Sequence, residues 1–200
     1  MARCGWRECC VKDPWKDEIK TILTREDHRA LLPLARKETA RVLRYLCGRL
    51  YCDNEEEKWR AVRALGFVIA DGQTVSRQQA TELLRRFLWA LNDESGTVPY
   101  GIPEAIGEIL AVRPDLQGDF LPMLCSLATT EGIIQTGVIE RGALWALGRV
   151  GQPVARCSPE AVEAVRVASM THPDPETREI ALRSLRMMSG SGSLIREQDR

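Results

Sequence analysis

The sequence has no net charge, few aromatic residues and no long apolar run. Lys plus Arg and Asp plus Glu each number 28 among 200 residues, which argues against a protein that mainly coats nucleic acid or a membrane surface. No stretch approaches the ~18 apolar residues of a membrane span, and the start of the chain lacks the apolar core of a signal peptide. We therefore expect a soluble, cytoplasmic protein that does not act at a membrane.

The balance of charge is uneven along the chain. Residues 1–52 carry 12 Lys and Arg against 7 Asp and Glu, a net charge of +5; the remaining 16 and 21 give −5. The apolar fraction of 44% and the charged fraction of 28% exclude a wholly disordered or collagen-like chain. The sequence is long enough for one ordinary domain or a short array of repeats.

Motifs for nucleophilic catalysis and phosphate binding are missing. The sequence has no G-x-S-x-G and no Gly-rich phosphate loop. The two histidines, His28 and His172, have no second metal ligand at i+3 or i+4, and we expect both on the surface. The carboxylates of Glu104 and Glu108 could in principle perform acid/base chemistry or bind a divalent ion, but one helical turn between them does not make them catalytic. We predict a protein without enzymatic activity or cofactor.

The number of cysteines is odd, so they cannot all pair within one chain. They are Cys4, Cys9, Cys10, Cys47, Cys52, Cys125 and Cys157. The first five could supply thiolates to zinc or an iron–sulfur cluster, although their spacing is not the usual C-x2-C. The alternative, which we prefer, is that no metal binds and that those at 47, 125 and 157 pack as small hydrophobic residues.

Helix signals dominate the sequence. Asp13-Pro14 predicts a short helix through about Leu23, and Thr24 with Asp27 resembles a cap for a second helix. Further capping residues stand before apolar periodic segments, at Asn54, Ser76, Ser158 and Asp174. Because period-two runs of β-branched and aromatic residues are absent, we predict an all-α chain.

An internal repeat organises the chain. The triplets Ala64-Leu65-Gly66, Ala105-Ile106-Gly107 and Ala146-Leu147-Gly148 recur at a spacing of 41 residues and again 41. A fourth copy, residues 177–186, follows 38 residues later with Arg186 in the Gly place. Four copies at this spacing predict four helix pairs stacked side by side.

The repeated pattern V-R-x-x-A-x-x-A-L-G resembles the second helix of HEAT repeats, in particular the bacterial HEAT-like type found in phycobilisome lyases. Arg178 and Ala181 fit its Arg and Ala, and Ala61 and Ala143 fit its Ala. The first helix of such repeats often carries L-L-P-L, to which residues 31–34 and 120–123 are similar. In three of the four copies the position of the pattern's Arg is occupied by another residue: Lys58, Pro99 or Glu140.

The resemblance implies a right-handed α-α superhelix, an α-solenoid, of about four HEAT-like helix pairs over residues 31–188. Residues 1–30 would form an N-terminal extension with short helices, and residues 189–200, rich in Gly and Ser at their start, a flexible tail. The connection at 90–101 is longer than a HEAT turn, which suggests a local specialisation.

Each second helix has one apolar face and one mixed face. The apolar positions, expected in the core, are Val62, Leu65, Val68, Ile106, Ile109, Leu144, Leu147 and Val150. The mixed face is a stripe of residues at positions i, i+4 and i+8 of three helices. The resemblance implies that this stripe faces a concave groove. Phe67 belongs to this stripe, and the residues predicted to bind a partner are Trp59, Arg63, Tyr100, Glu104, Glu108, Arg141, Trp145 and Arg149. Gly66, Gly107 and Gly148 are expected at the edge of that groove, where they would allow close approach of another backbone or ligand.

A purely structural interpretation of the same stripe stays open. The tryptophans could fill space between stacked helices, the acidic residues could pair with Arg63, Arg141 or Arg149, and the glycines could serve only tight helix packing. The loop before Tyr100 adds a candidate site at Asn92 and Asp93, which either supports a turn or places polar groups at a helix N-terminus where an anion could bind.

The predicted function is a non-catalytic scaffold or adaptor that binds another protein or a peptide segment in the groove, because extended repeat surfaces add contacts without a deep pocket. The alternative is a HEAT-like DNA-binding protein of the DNA-alkylation-repair glycosylase type, whose groove holds Trp, Tyr, an acid and Arg. A neutral chain argues against nucleic acid as the partner.

Overall fold

The computed structural model describes residues 14–91, 100–129 and 137–190, and the regular secondary structure of these residues is helical throughout. The helices are α1 (Pro14–Thr24), α2 (His28–Lys37), α3 (Thr39–Arg49), α4 (Glu55–Ala70), α5 (Arg77–Leu91), α6 (Ile102–Val112), α7 (Gln117–Thr129), α8 (Gly137–Val150), α9 (Gln152–Cys157), α10 (Pro159–Thr171) and α11 (Pro175–Met188), with a short 3₁₀ helix at Pro114–Leu116. The prediction of an all-α chain is confirmed for these residues. The predicted loop site at Asn92 and Asp93, the cysteines at 4, 9 and 10 and the end of the predicted tail lie outside them.

Side chains cap several helices where the sequence predicted it. Asn54 accepts the N–H of Glu57 at 2.9 Å, and Ser158 accepts that of Ala161 at 3.1 Å. At the start of α5 the side chains at 76 and 79 each accept the other residue's backbone N–H, which is the reciprocal arrangement of a capping box. These bonds satisfy backbone donors that have no partner inside the helix.

The predicted cap at Thr24 is wrong. Thr24 is the last residue of α1, and its hydroxyl donates to the carbonyl of Lys20 at 2.8 Å. Such a bond to the preceding turn keeps a Thr inside a helix. The cap of α2 is instead Asp27, whose carboxylate accepts the N–H of Ala30 at 3.3 Å.

Both histidines are half-buried rather than free on the surface, which corrects the expectation from the sequence. The His28 ring lies 5.8 Å from that of Phe67, and burial lowers its pKa. His172 follows the end of α10, and its Nε2 is 3.3 Å from a carboxylate oxygen of Glu140. Sequence spacing could not show these contacts because both cross between helices.

The helices that carry the four copies of the sequence repeat pack against one another in order. Helix α4 contacts α6, α6 contacts α8, and α8 contacts α11. Each of these helices also contacts the helix that precedes it in the chain: α3 contacts α4, α5 contacts α6, α7 contacts α8 and α10 contacts α11. All eight predicted core positions are buried, which confirms the inward face that the 3.6-residue period assigned to α4 and α8. In α6 every residue from Ile102 to Leu110 is buried, so no single face of that helix is distinguished.

The three repeated glycines lie inside helix contacts, and Gly148 also lines a cavity between α8 and α11. A β-carbon on Gly107 would come within 2.5 Å of the Cα of Ala146, and one on Gly148 within 2.7 Å of the Cα of Ser184. Gly66 lies against the side chain of Glu108. Their role is close approach of neighbouring helices, which is the structural alternative that the sequence left open.

The cysteines of the described helices differ in exposure. Burial raises the pKa of the Cys47 thiol to about 11 and that of Cys125 to about 12, which favours the protonated thiol over the reactive thiolate at neutral pH. Cys157 is exposed at the end of the short helix α9. The expectation that it packs as a small hydrophobic residue is wrong, because α9 ends at the surface.

Within residues 14–91, 100–129 and 137–190, every helix is too short or too polar to cross a membrane.

Candidate functional site

A cavity of about 300 Å³ lies between α4, α6, α8 and α11. Its wall is formed by Glu55, Lys58, Trp59, Glu104, Val138, Arg141, Gly142, Trp145, Glu176 and Ile180. Four of the eight partner-binding residues predicted from the sequence meet here, namely Trp59, Glu104, Arg141 and Trp145. The structure therefore brings half of the predicted set into one place.

The base of this cavity holds a buried ion pair. The side chains of Lys58 and Glu104 are 3% and 4% exposed, and Lys58 Nζ is 3.3 Å from Glu104 Oε1 and 2.8 Å from an oxygen of Glu55. Burial raises the pKa of Glu104, and the positive charge of Lys58 acts against that shift. A buried charge needs such a partner because its desolvation is costly.

The second oxygen of the same carboxylate is left without a partner. Glu104 Oε2 is buried and makes no hydrogen bond to the described residues. It lies over Gly142 of α8, where a β-carbon would be only 2.6 Å from it. The absence of a side chain at 142 therefore creates the space that this oxygen occupies beside the cavity.

Two tryptophans from different repeats form a corner of the wall. The ring centroids of Trp59 and Trp145 are 4.7 Å apart and the ring planes meet at 66°, an edge-to-face arrangement that is favourable for aromatic pairs. The indole N–H of Trp59 donates to Glu55 at 3.1 Å, which fixes the ring, and Lys58 Nζ lies 5.3 Å from the centre of that ring. Both rings are only partly buried.

Acidic residues of α11 and its cap hold the guanidinium of Arg141. Arg141 is 3.2 Å from an oxygen of Asp174 and 3.7 Å from one of Glu176. Hydrogen bonds from the Thr177 hydroxyl, from backbone N–H groups and from Arg141 lower the pKa of Asp174 to about 2. The positive charge of Arg141 is thus compensated within the protein.

A second cavity of about 230 Å³ lies next to the first, between α8 and α11. Trp145 and Ile180 line both cavities, and the second is completed by Gly148, Arg149, Arg183, Ser184 and Met187. Trp145 therefore stands between two adjacent depressions of different character. The first contains three acids and two bases, whereas the titratable residues of the second are both arginines.

The other predicted partner-binding residues are placed elsewhere. Arg63 pairs with Glu26 at 2.7 Å, towards the N-terminal helices. The nearly buried carboxylate of Glu108 accepts two bonds from Arg149, at 2.6 and 3.0 Å, so this acid forms an inter-repeat ion pair. Tyr100 is half-buried just before α6. The predicted stripe is therefore not a single continuous surface of free side chains.

Sequence reasoning missed six residues of the cavity. They are Glu55, Lys58, Val138, Gly142, Glu176 and Ile180. One signal was available, since Lys58 replaces the Arg of the repeat pattern. The contact of Gly142 with Glu104 had no signal in the sequence, because it depends on the register of α8 against α6.

The described residues contain no group of three or more His, Cys, Asp and Glu side chains placed to hold a metal ion. Neither a family model nor a curated protein matches this chain. The chemistry of the cavity itself must therefore guide the functional interpretation.

Proposed function

We propose that this protein is a HEAT-like α-solenoid that acts as a non-catalytic scaffold, and that it binds a segment of another protein across α4, α6, α8 and α11. The carrying observation is the pair of adjacent cavities on either side of Trp145. A cleft with an aromatic wall between two pockets of different character suits an extended segment that places successive side chains in each.

The order of helix contacts supports the solenoid part of the proposal. The second helices contact each other in the sequence α4, α6, α8, α11, and each first helix contacts its own second helix. Two of the three repeated glycines make equivalent contacts, since Gly107 meets Ala146 and Gly148 meets Ser184, both two residues before the Gly place of the next copy. This is the arrangement expected when each repeat packs on its neighbours only.

The charges of the site favour recognition over catalysis. Lys58 is engaged by two carboxylates, and Arg141 by two others. These groups are positioned by one another, as in a preformed binding surface. The acidic residues also disfavour a nucleic acid as the ligand, because a groove that binds a phosphate backbone requires a surplus of positive charge.

The proposal is tested by affinity capture from native extract, with quantitative mass spectrometry. The variant Trp145→Ala/Glu176→Lys changes two partly exposed side chains of the cavity and should lose a protein that the wild type retains. Its matched control, Trp89→Ala/Glu82→Lys, changes the same residue types on the exposed surface of α5 and should retain that protein.

The captured protein is then purified and bound to each variant in isolation, after circular dichroism has shown that the variants are folded. Equal binding by wild type, cavity variant and control would contradict a partner surface at Trp145. Capture of DNA or RNA in place of protein, with affinity that falls steeply with salt, would favour the alternative of a nucleic-acid-binding protein.

A further inference from the structure

One buried hydrogen-bond acceptor, an oxygen of Glu104, is left unpaired beside the cavity. The carboxylate of Glu104 is satisfied at Oε1 by Lys58, but Oε2 has no hydrogen-bond partner among the described residues. Buried polar atoms are nearly always paired, and an unpaired one calls for an explanation. Glu104 lines a cavity of about 300 Å³, so a donor from outside the chain that enters this cavity would meet the carboxylate.

The charges around that oxygen specify a cation. Three acids of the wall, Glu55, Glu104 and Glu176, outnumber its two bases. Both bases are already paired, Lys58 with two of these acids and Arg141 with Glu176 and an acid outside the wall. A positive charge that enters the cavity would therefore offset the surplus of negative charge on its wall, whereas an anion would increase that surplus.

The aromatic corner specifies the kind of cation. Trp59 and Trp145 offer two partly exposed rings at the same cavity, and tryptophan is the side chain that attracts cations most strongly over its face. A guanidinium is planar, weakly hydrated and able to stack on aromatic rings while it donates to a carboxylate. A metal ion is disfavoured, since the described side chains form no cluster of three ligands.

We propose that this cavity binds the guanidinium of an arginine side chain from the partner segment, with the carboxylate of Glu104 as its acceptor and Trp59 and Trp145 as its aromatic wall. This inference rests on the proposed partner-binding function of the same surface. Glu55 and Glu176, whose side chains are mostly exposed, stand at the mouth and attract the positive charge.

The test uses the full chain and three blocked tripeptides, acetyl-Gly-X-Gly-amide with X as arginine, citrulline or lysine. Citrulline has the shape of arginine without its charge. Binding is followed through the indole N–H signals of the ¹⁵N-labelled protein, where Trp15 and Trp89 serve as internal references outside the cavity. The arginine peptide should shift the signals of Trp59 and Trp145 with a Kd on the order of millimolar, and citrulline should bind at least about tenfold more weakly.

Two protein variants examine the acceptor. Glu104→Gln removes the charge with little change in shape, and Gly142→Ala places a methyl group 2.6 Å from the present position of Oε2, so that the carboxylate must move. Each variant should weaken arginine binding by about tenfold. Gly48→Ala, at an exposed glycine with no neighbour within 4 Å, should leave it unchanged. The comparison of arginine with citrulline needs no variant and stands even if a substitution impairs folding.

The outcomes separate this inference from the proposed function. Equal binding of arginine and citrulline peptides, or shifts confined to Trp15 and Trp89, would overturn the arginine site while leaving the capture result with Trp145→Ala/Glu176→Lys intact. Selective arginine binding together with unaltered partner capture by that variant would support the cavity's chemistry and refute the partner surface.

Discussion

Gly107 of α6 lies so close to Ala146 of α8 that a β-carbon at position 107 would be 2.5 Å from the Cα and Cβ of Ala146. The backbone atoms of α8 cannot move aside as the end of a flexible side chain can. The distance between α6 and α8, and with it the shape of the cavity between them, therefore depends on the absence of a side chain at 107.

Gly107→Ala should lower the free energy of unfolding by about 1–3 kcal/mol, because the two helices must separate to admit the methyl group. Urea denaturation measures this change. The control is Gly48→Ala in α3, where a β-carbon meets nothing within 4 Å and the better helix former should leave stability unchanged or raise it by up to about 1 kcal/mol. Equal stability of both variants would contradict the close contact.

Leu147→Asp should cost at least about 3 kcal/mol of folding free energy, since Leu147 is fully buried on α8 and a charge there would have no partner. Thermal and urea unfolding with circular dichroism provide the measurement. Leu182→Asp makes the same change at a position of α11 that is 39% exposed, and its cost should stay below about 1.5 kcal/mol. Full helicity and an unchanged Tm for Leu147→Asp would refute the assigned core face.

Asp174 should make stability depend on pH in the acid range. Its pKa is lowered from 3.8 to about 2 by the Thr177 hydroxyl, by backbone N–H groups and by Arg141, so the folded state binds protons less readily than the unfolded state. The stabilising contribution is complete above about pH 5 and is lost as pH falls through 3.8 towards 2. The wild type should therefore exceed Asp174→Asn in stability at pH 5, and the two should converge near pH 2.

A second variant tests which hydrogen bond lowers the pKa of Asp174. Thr177→Val removes the hydroxyl that donates to Asp174 at 2.6 Å, and the pKa of Asp174 should rise towards its ordinary value in a carboxyl-carbon NMR titration. An unaltered titration of Asp174 in Thr177→Val would show that this hydrogen bond does not determine its pKa.

Hydrogen exchange should show a gradient of protection along the chain. If each helix pair packs only on its neighbours, stability is a sum of local terms, and the ends open more readily than the middle. Amides of α4, α6 and α8 should then exchange more slowly than those of α1 and α10. Identical opening free energies from α1 to α11 would instead indicate one cooperative core and would count against the proposed solenoid.

Helix α6 shows why the sequence misjudged the exposure of part of the stripe. Every residue from Ile102 to Leu110 is buried, including Glu104 and Glu108, because α6 is covered by α4 on one flank and by α8 on the other. The 3.6-residue period reveals which face is apolar, but it does not reveal how much of the circumference neighbouring helices cover. The two acids were therefore expected on an open surface.

The residues alone determined the all-helical character, most of the caps and the buried faces of the repeated helices. Each of these follows from side chains a few residues apart in the chain, such as Asn54 with Glu57 or the apolar positions around Leu147. Only the tertiary structure decided that Lys58 meets Glu104, that Gly142 makes room for the second oxygen of that carboxylate, and that Trp59 meets Trp145. The physical reason is that these contacts join different helices, so they depend on the register and distance at which α4, α6 and α8 pack.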